Sequence, residues 1–354
     1  MACRYQERRS EIDWQAREEE LRKIAEWAKK HSQKDGFHCV IGVSGGKDSH
    51  FQAFHARDRL GLKALLVTNA PDTPTRVGRE NLENLLQHGF DLISIRVNPR
   101  VMRAVTRQGF YEYGNPVKAS EYSLWASAYI IALKFRIPLV VQGENPAITL
   151  GISGGQLPTG GDALQIRLHN TLSGGNASDW LEEGIEARDL QFLQFPHQEV
   201  QKSKLKAVFL NYYAREWAYT GNTEFAVARG LMGTPDHDPA KTGKLSPYTS
   251  VDSDAHILNQ MIKYYKFGFG FVTDEVCYRI REDGMTREEG ISLIEQYDGR
   301  CDERYIRDFC DYIGITRAEF SSVLDRFVNR DLFRMDPETG RWLPKFRVGS
   351  GIDH

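Results

Sequence analysis

The stretch FHCVIGVSGGKDS, residues 37–49, decides the fold of this chain. Residues 37–43 form a short apolar run with β-branched members, which predicts a buried strand. The polar SGGKDS that follows places a glycine pair where the strand would turn into a helix, predicted from about residue 49 to residue 60. The stretch therefore predicts a strand, a tight turn and a helix in direct succession.

Strands and helices alternate on either side of this stretch. Strands are predicted at 37–43, 63–68, 91–97 and 138–142, and helices at 13–33, 76–88 and 119–135. Alternation at this spacing is typical of an α/β fold whose doubly wound parallel sheet is covered by helices on both faces. Ligands of such sheets bind beyond the carboxyl ends of the strands, where SGGKDS, Asn69 and Gly143-Glu144 are predicted to lie.

The composition changes after strand four. Residues 145–175 contain three glycine pairs and predict a long loop or lid. The rest of the chain is predicted to be mainly helical, with helices at 202–219, 254–267 and 325–347 and another that begins at a Thr286/Glu289 capping box. We expect an N-terminal helix in 1–35, an α/β domain in 36–180 and a helical substrate or partner region in 181–354.

Charge and cysteine content argue against several classes of protein. Lys and Arg number 46 against 48 Asp and Glu, without the basic surplus typical of nucleic-acid binding. The five cysteines include no CxxC pair, which argues against a disulfide framework or a zinc cage. Apolar runs are too short to span a membrane, and no secretory signal is recognisable, so we expect a cytoplasmic protein that binds no nucleic acid.

The SGGKDS turn carries the chemistry. A strand that passes through glycines into a helix directs backbone N–H groups and the helix N-terminus at one point, which suits phosphate oxygens. Ser44 and Ser49 add hydroxyl donors and Lys47 adds a positive charge. The spacing differs from that of a Walker A loop, GxxxxGK[ST]. The sequence thus predicts a different kind of phosphate-binding loop.

The order SGGKDS resembles the pyrophosphate loop of the N-type ATP pyrophosphatase superfamily. That resemblance implies cleavage of ATP between its α- and β-phosphates. Sulfur transfer is disfavoured, because residues 114–122 contain none of the cysteines that the thiolases of this superfamily use.

Several further strings resemble a narrower family, the N-acetyl sugar amidotransferases of lipopolysaccharide and flagellin-glycan biosynthesis. They are GENP at 143–146, KFGFG at 266–270, TD at 273–274, GMTREE at 284–289 and YDG at 297–299. The resemblance extends over residues 12–315. Family members often begin with paired cysteines that look like a zinc knuckle, whereas only Cys3 stands in that region here, and we predict no zinc site.

The resemblance implies a reaction. The acetamido oxygen of a nucleotide-linked N-acetyl sugar, possibly a uronic acid, attacks the α-phosphate of ATP, and ammonia then displaces AMP to give an acetamidino sugar. The residues assigned to the nucleotide are Ser44, Gly45, Gly46, Lys47, Asp48, Ser49, Thr68, Asn69 and Gly143. Lys47, Asp48 and Glu144 are the catalytic candidates, and Asp48 or Glu144 could hold Mg²⁺.

Substrate contacts are assigned to Lys118, Tyr122, Asn145 and Lys266, with Arg279 and Arg281 as further cations that could meet an anion. Trp125 is interpreted as a core residue because of its helical setting. His237 has no further ligand at metal spacing and is interpreted as part of a loop.

The chain has no glutaminase signature, so the resemblance implies that partner proteins, a glutaminase and a barrel-shaped synthase, supply ammonia. Two alternatives stay open at this point. One is a tRNA-modifying ATP pyrophosphatase of the same fold, and the other is a non-catalytic adenine-nucleotide-binding protein.

Overall fold

A computed structural model describes residues 2–149, 161–164, 175, 177–180 and 184–350. The chain forms two compact units: Met1–Met102 with Ala119–Met232, and Arg103–Lys118 with Gly233–His354. Most of the glycine-rich segment 145–175 lies outside the described residues, so the predicted lid stays a prediction.

The first unit is built on a five-stranded parallel sheet. Its strands are β1 (Cys39–Gly42), β2 (Ala64–Asn69), β3 (Asp91–Ile95), β4 (Leu139–Gln142) and β5 (Lys206–Phe209). They are arranged in the order β3-β2-β1-β4-β5. This arrangement confirms the predicted parallel α/β fold and all four predicted strands.

The strand order fixes where a ligand can approach. From β1 the chain builds outward to β2 and β3, and it then returns to place β4 on the other side of β1. Residues following β1 and β4 therefore diverge at the point where the sheet reverses direction, which is where open α/β sheets bind ligands. The middle of the sheet is completely buried, as at Val40, Ile41 and Val140, so these strand ends have a rigid support.

The sequence around this sheet forms helices. They are α1 (Ala2–Glu7), α2 (Trp14–His31), α3 (Lys47–Phe54), α4 (Arg76–Gln87), α6 (Lys118–Lys134), α7 (His197–Lys202), α8 (Leu210–Tyr213) and α9 (Tyr219–Val227). A π-helical turn, His55–Arg59, prolongs α3. The N-terminus of α2 is capped by Asp13, whose carboxylate accepts from the Ala16 N–H at 2.9 Å. The predicted helices of this half are confirmed.

The prediction of one helix over 202–219 was wrong. Residues 206–209 form β5, whose Ala207, Val208 and Phe209 are buried beside β4. A short apolar run of this kind is compatible with a helix or a strand. Here it forms a strand because it pairs with the edge of β4 that β1 leaves open. The sheet consequently includes residues well beyond 180.

The second unit is helical. It contains most of α5 (Pro99–Tyr113), together with α10 (Pro239–Thr242), α11 (Ala255–Phe267), α12 (Phe271–Arg281), α13 (Arg287–Tyr297), α14 (Glu303–Ile313) and α15 (Arg317–Phe327). Its core joins α5, α11, α14 and α15 around Phe110, which stacks on Phe320 with ring centroids 5.1 Å apart. The capping box at Thr286 and Glu289 is present as predicted.

The prediction of a helix over 325–347 was wrong beyond Phe327. The helix ends there and is followed by a hairpin of β6 (Phe333–Met335) and β7 (Trp342–Pro344). Between these strands Gly340 adopts a positive φ of 65°, which favours a turn over a continuing helix. Among the helices of the described residues, none has the length and apolar character needed to cross a membrane.

Candidate functional site

The turn after β1 has the geometry of an anion cradle. Gly45 has a φ of +84°, and a Cβ there would lie 2.9 Å from the Gly78 carbonyl oxygen of α4. Only glycine fits both the backbone conformation and the space. Gly46 then precedes the first residue of α3 and contributes no side-chain cap, so the first-turn N–H groups face the region beyond β1.

The side chain of Ser49, in the SGGKDS segment, and that of His50 close the turn. The Ser49 hydroxyl accepts a hydrogen bond from the Ser44 N–H at 2.9 Å. His50, which follows the segment, has its Nδ1 3.0 Å from the Gly46 carbonyl oxygen and its Nε2 3.2 Å from the Asn84 amide. These contacts hold the loop in shape without using the helix N-terminus.

Lys47 and Asp48 form the charged part of the site. The Lys47 ammonium donates to the Asp48 carboxylate at 2.7 Å and lies 4.4 Å from the centre of the Tyr219 ring. The Asn222 amide donates to the other oxygen of Asp48 at 2.8 Å. Helix α9, which packs on α3, therefore supplies two residues of the site that no sequence motif indicated.

The charge state of Asp48 follows from these contacts. Burial acts to raise the pKa of the carboxyl, but the charge and hydrogen bond of Lys47 and the hydrogen bond of Asn222 outweigh it. The pKa of Asp48 is thus held below its ordinary value, and the group is an anion near neutral pH. Its side chain remains 45% exposed, so it is accessible to a cation or a substrate.

Glu144 occupies the corresponding position after β4. Burial, together with the negative charge of Asp48, raises the pKa of Glu144 to about 7 despite hydrogen bonds from backbone N–H groups. Its Oε2 is buried and has no hydrogen-bond partner among the described residues. A buried carboxyl oxygen without a partner is costly, so this position is suited to a ligand or a cation.

The backbone at Gly143 is enclosed by polar side chains. A Cβ at this position would lie 1.5 Å from the Gln52 Nε2, so any other residue would displace the Gln52 side chain. The Asn211 amide, directly after β5, donates to the Gly143 carbonyl. Asn211 and Gln52 are further residues of the site that sequence reasoning missed, because their contacts join distant parts of the chain.

Asn145 lies next to Glu144 but is 1% exposed. Its amide donates to the Asn211 carbonyl at 2.9 Å and to the Tyr5 hydroxyl at 3.2 Å, and its carbonyl accepts from the Ala147 N–H at 3.1 Å. In the described structure this side chain fixes the turn after β4. Its assignment to substrate binding stays a prediction.

Thr68 and Asn69 end β2, beside the turn after β1. Thr68 is buried, and the Asn69 amide donates to the Ser120 carbonyl at 3.5 Å. The Asn69 Oδ1 is buried and has no hydrogen-bond partner among the described residues. Both residues thus lie at the predicted edge of the sheet, and Asn69 retains an acceptor for a ligand.

The remaining predicted residues of the first unit lie on α6. Tyr122 is 7% exposed and meets the Trp180 ring edge-on, with centroids 5.6 Å apart. Trp125 is buried, as its interpretation as a core residue requires. The proposed substrate contact of Tyr122 stays a prediction.

The second unit contains the other two predicted substrate residues. Lys118 and Lys266 both contact Tyr113, one over its ring and the other at its carbonyl oxygen. Arg281 instead stacks on Tyr278 of its own helix. His237 lies in a loop, as expected, with its Nε2 3.0 Å from the Lys244 carbonyl oxygen.

A metal ion could be held by protein side chains alone or by side chains together with substrate phosphates. Within the described residues no three His, Cys, Asp or Glu side chains gather in a way that could hold a metal ion by themselves. Asp48 and Glu144 nevertheless suit Mg²⁺, which uses one or two carboxylates together with substrate phosphates. The Asp48 side chain is 45% exposed although both of its oxygens accept hydrogen bonds, and the Glu144 Oε2 has no hydrogen-bond partner among the described residues, so a cation could reach an oxygen of each carboxylate.

The C-terminal part of the chain matches a known protein family. Residues 242–346 match the family described as "LPS biosynthesis protein WbpG-like, C-terminal domain". No curated protein is significantly similar to the chain. Through these residues, which include Lys266, the chain is similar to lipopolysaccharide biosynthesis proteins, and over this part of the chain the match agrees with the predicted resemblance.

Proposed function

We propose that the chain is an AMP-forming, ATP-dependent amidotransferase that converts the acetamido group of a nucleotide-linked sugar into an acetamidino group. The observation that carries this proposal is the turn at 44–49, in which Gly45 is forced into a positive φ and a helix begins directly behind it. Such a turn suits a pyrophosphate leaving group, and the match at 242–346 indicates the biosynthetic setting.

The chemistry begins with an amide, which is a poor electrophile. Its carbonyl oxygen attacks the α-phosphorus of ATP, the bond from that phosphorus to the bridging oxygen breaks, and pyrophosphate leaves. Ammonia then adds to the carbon of the O-adenylyl imidate, a proton is lost, and AMP departs with the former amide oxygen. Catalysis of this kind depends mainly on positioning and on stabilisation of phosphoryl charge.

Each residue of the turn has a role in this scheme. The N–H groups at the start of α3 and the ammonium of Lys47 stabilise the charge that develops on the departing pyrophosphate. Asn222 and Tyr219 orient Lys47 and Asp48 before the nucleotide binds. The free acceptor of Asn69 is suited to the adenosine part of ATP.

Mg²⁺ would be held by Asp48 and Glu144, and when bound it neutralises charge on the phosphate oxygens. Ammonia would come from a glutaminase and a synthase-barrel partner, as the sequence resemblance implies. The acidic balance of the chain and the match at 242–346 both favour a sugar over tRNA as the substrate.

The experiment uses purified chain, MgATP and ammonium chloride with a panel of UDP- and CMP-linked N-acetyl sugars that includes uronic acids. AMP and pyrophosphate are measured, and the sugar is examined by mass spectrometry for replacement of the amide oxygen by NH. We expect AMP formation that requires one sugar. It should be abolished in Lys47→Ala and retained in Lys30→Ala, an exposed lysine of α2.

Two outcomes would contradict the proposal. Release of ADP would show the wrong bond of ATP being cleaved. AMP formation with tRNA but with no sugar would move the assignment to a tRNA-modifying enzyme.

A further inference from the structure

Two lysines from distant parts of the sequence lie together in the helical unit. The Lys266 ammonium, in the last turn of α11, donates to the Tyr113 carbonyl oxygen at 2.7 Å. The Lys118 ammonium lies 4.5 Å from the centre of the Tyr113 ring. One tyrosine residue therefore brings two positive charges close to each other.

This pairing of like charges affects Lys266. Burial and the positive charge of Lys118 both lower the pKa of Lys266. Among the described residues no carboxylate lies within ion-pair distance of Lys266. A bound anion would oppose both effects on the pKa, because its negative charge offsets the repulsion between the two lysines and favours the charged form of Lys266.

Exposed aromatic rings lie beside the cations: the Lys118 ammonium is over the Tyr113 ring, and the Lys266 ammonium lies 5.5 Å from the centre of the Phe267 ring. Phe267 is 57% exposed, Tyr113 40% and Phe269 39%, and the Phe267 and Phe269 ring centroids are 6.3 Å apart. Large aromatic side chains are usually buried, so a group of exposed ones marks a surface that binds something. Flat rings beside ammonium groups suit a nucleobase attached to phosphates.

Contacts with α15 hold the segment that carries Tyr113 in place. Gly114 has a φ of +54°, and a Cβ there would lie 2.7 Å from the Phe327 ring of α15. The Lys266 ammonium lies 5.3 Å from the centre of that same ring. Arg326 donates to the Tyr111 carbonyl at 2.5 Å. The turn that carries Tyr113 is thereby fixed, which lowers the entropic cost of binding.

We propose that Lys118 and Lys266, with the rings of Tyr113 and Phe267, bind a nucleoside diphosphate: the lysines contact the diphosphate and the rings contact the base. The identification of this nucleoside diphosphate as the carrier of the sugar substrate rests on the proposed function. A polyprenyl diphosphate offers the same anion, but the exposed rings favour a flat, polar base over a lipid chain.

The test measures binding of UDP to the full chain by calorimetry. Mg²⁺ and a saturating non-hydrolysable ATP analogue are present, so that the loop at 44–49 is occupied. We expect Lys266→Gln and Lys118→Gln each to weaken UDP binding by about tenfold, since each removes a charge-assisted hydrogen bond. Lys266→Arg should restore most of the affinity, and Phe267→Ala should weaken binding several-fold.

Lys241→Gln is the matched control, an exposed lysine of the same unit that should bind UDP as the unaltered chain does. Binding of UDP that is unchanged in Lys266→Gln and Lys118→Gln would overturn the site. Equal binding of farnesyl diphosphate and UDP would overturn the nucleoside assignment. Because binding is measured without turnover, a chain that binds UDP here but forms no AMP refutes the proposed function alone.

Discussion

Replacement of Gly45 by alanine tests whether the turn after β1 is built as the structure indicates. Gly45 has a φ of +84°, and a left-handed backbone costs a residue with a Cβ about 1–2 kcal/mol. The new Cβ would also lie 2.9 Å from the Gly78 carbonyl oxygen and 3.3 Å from the Leu82 Cγ. The carbonyl is backbone and cannot swing away, so overpacking adds about 1–3 kcal/mol.

Gly46 provides the matched control. A Cβ there would meet only the Ser44 hydroxyl at 3.5 Å, and no positive φ is required. We therefore expect Gly45→Ala to lower the free energy of unfolding by about 2–4 kcal/mol and Gly46→Ala by less than about 1 kcal/mol. The difference between two adjacent glycines isolates the backbone requirement from any general effect of added bulk.

Urea unfolding followed by circular dichroism measures the stability, and fluorescence of a labelled ATP analogue measures binding. Gly45→Ala should lose both stability and ATP affinity, because relief of the clash moves the turn away from the start of α3. If Gly45→Ala were as stable as Gly46→Ala and bound ATP equally well, the account of this turn would be wrong.

Three further predictions concern carboxylates. Asn222→Ala should raise the pKa of Asp48, as read from NMR titration of its carboxyl, since a hydrogen bond to the ionised form is lost; an unchanged pKa would contradict this. In EDTA, Glu144→Gln should gain stability over the unaltered chain as the pH rises from 5 to 8. The pKa of the Glu144 carboxyl is about 7 in the folded state and about 4.5, its ordinary value, in the unfolded state. Between these values the unfolded state binds fewer protons, so the stability of the unaltered chain falls as the pH rises, whereas that of Glu144→Gln does not. A stability difference between the two proteins that stays constant with pH would refute the raised pKa. Glu275 is 1% exposed and accepts hydrogen bonds from the Leu245 N–H and the Thr249 hydroxyl, so Glu275→Ala should destabilise the helical unit by about 3 kcal/mol in urea unfolding, and more than Glu275→Gln.

Local patterns predicted the turn after β1 in the candidate site. The glycines of residues 44–49, the apolar strand before them and the helix behind them are neighbours in the sequence, so their geometry could be inferred from residue types alone. The parallel direction of the strands also followed from their alternation with helices, which placed Glu144 and Asn69 at the same edge as the turn.

Contacts between distant segments could not be inferred in this way. Asn222 reaches Asp48 only because α9 packs on α3, and Asn211 reaches Gly143 only because residues 206–209 pair with β4. Neither segment carries a motif, and the second resembles a helix when seen alone. Likewise, nothing in the sequence indicates that Lys118 and Lys266 meet at one tyrosine.

In the proposed reaction, ATP is cleaved to AMP and pyrophosphate to activate a sugar amide. The most direct measurement uses a UDP-linked N-acetyl sugar labelled with ¹⁸O in its acetamido carbonyl, together with MgATP and ammonium chloride. The account predicts that the label appears in the phosphate of AMP and that the sugar gains nitrogen. Unlabelled AMP, or label retained in the sugar, would show that the amide oxygen never attacks the α-phosphorus and would contradict the account.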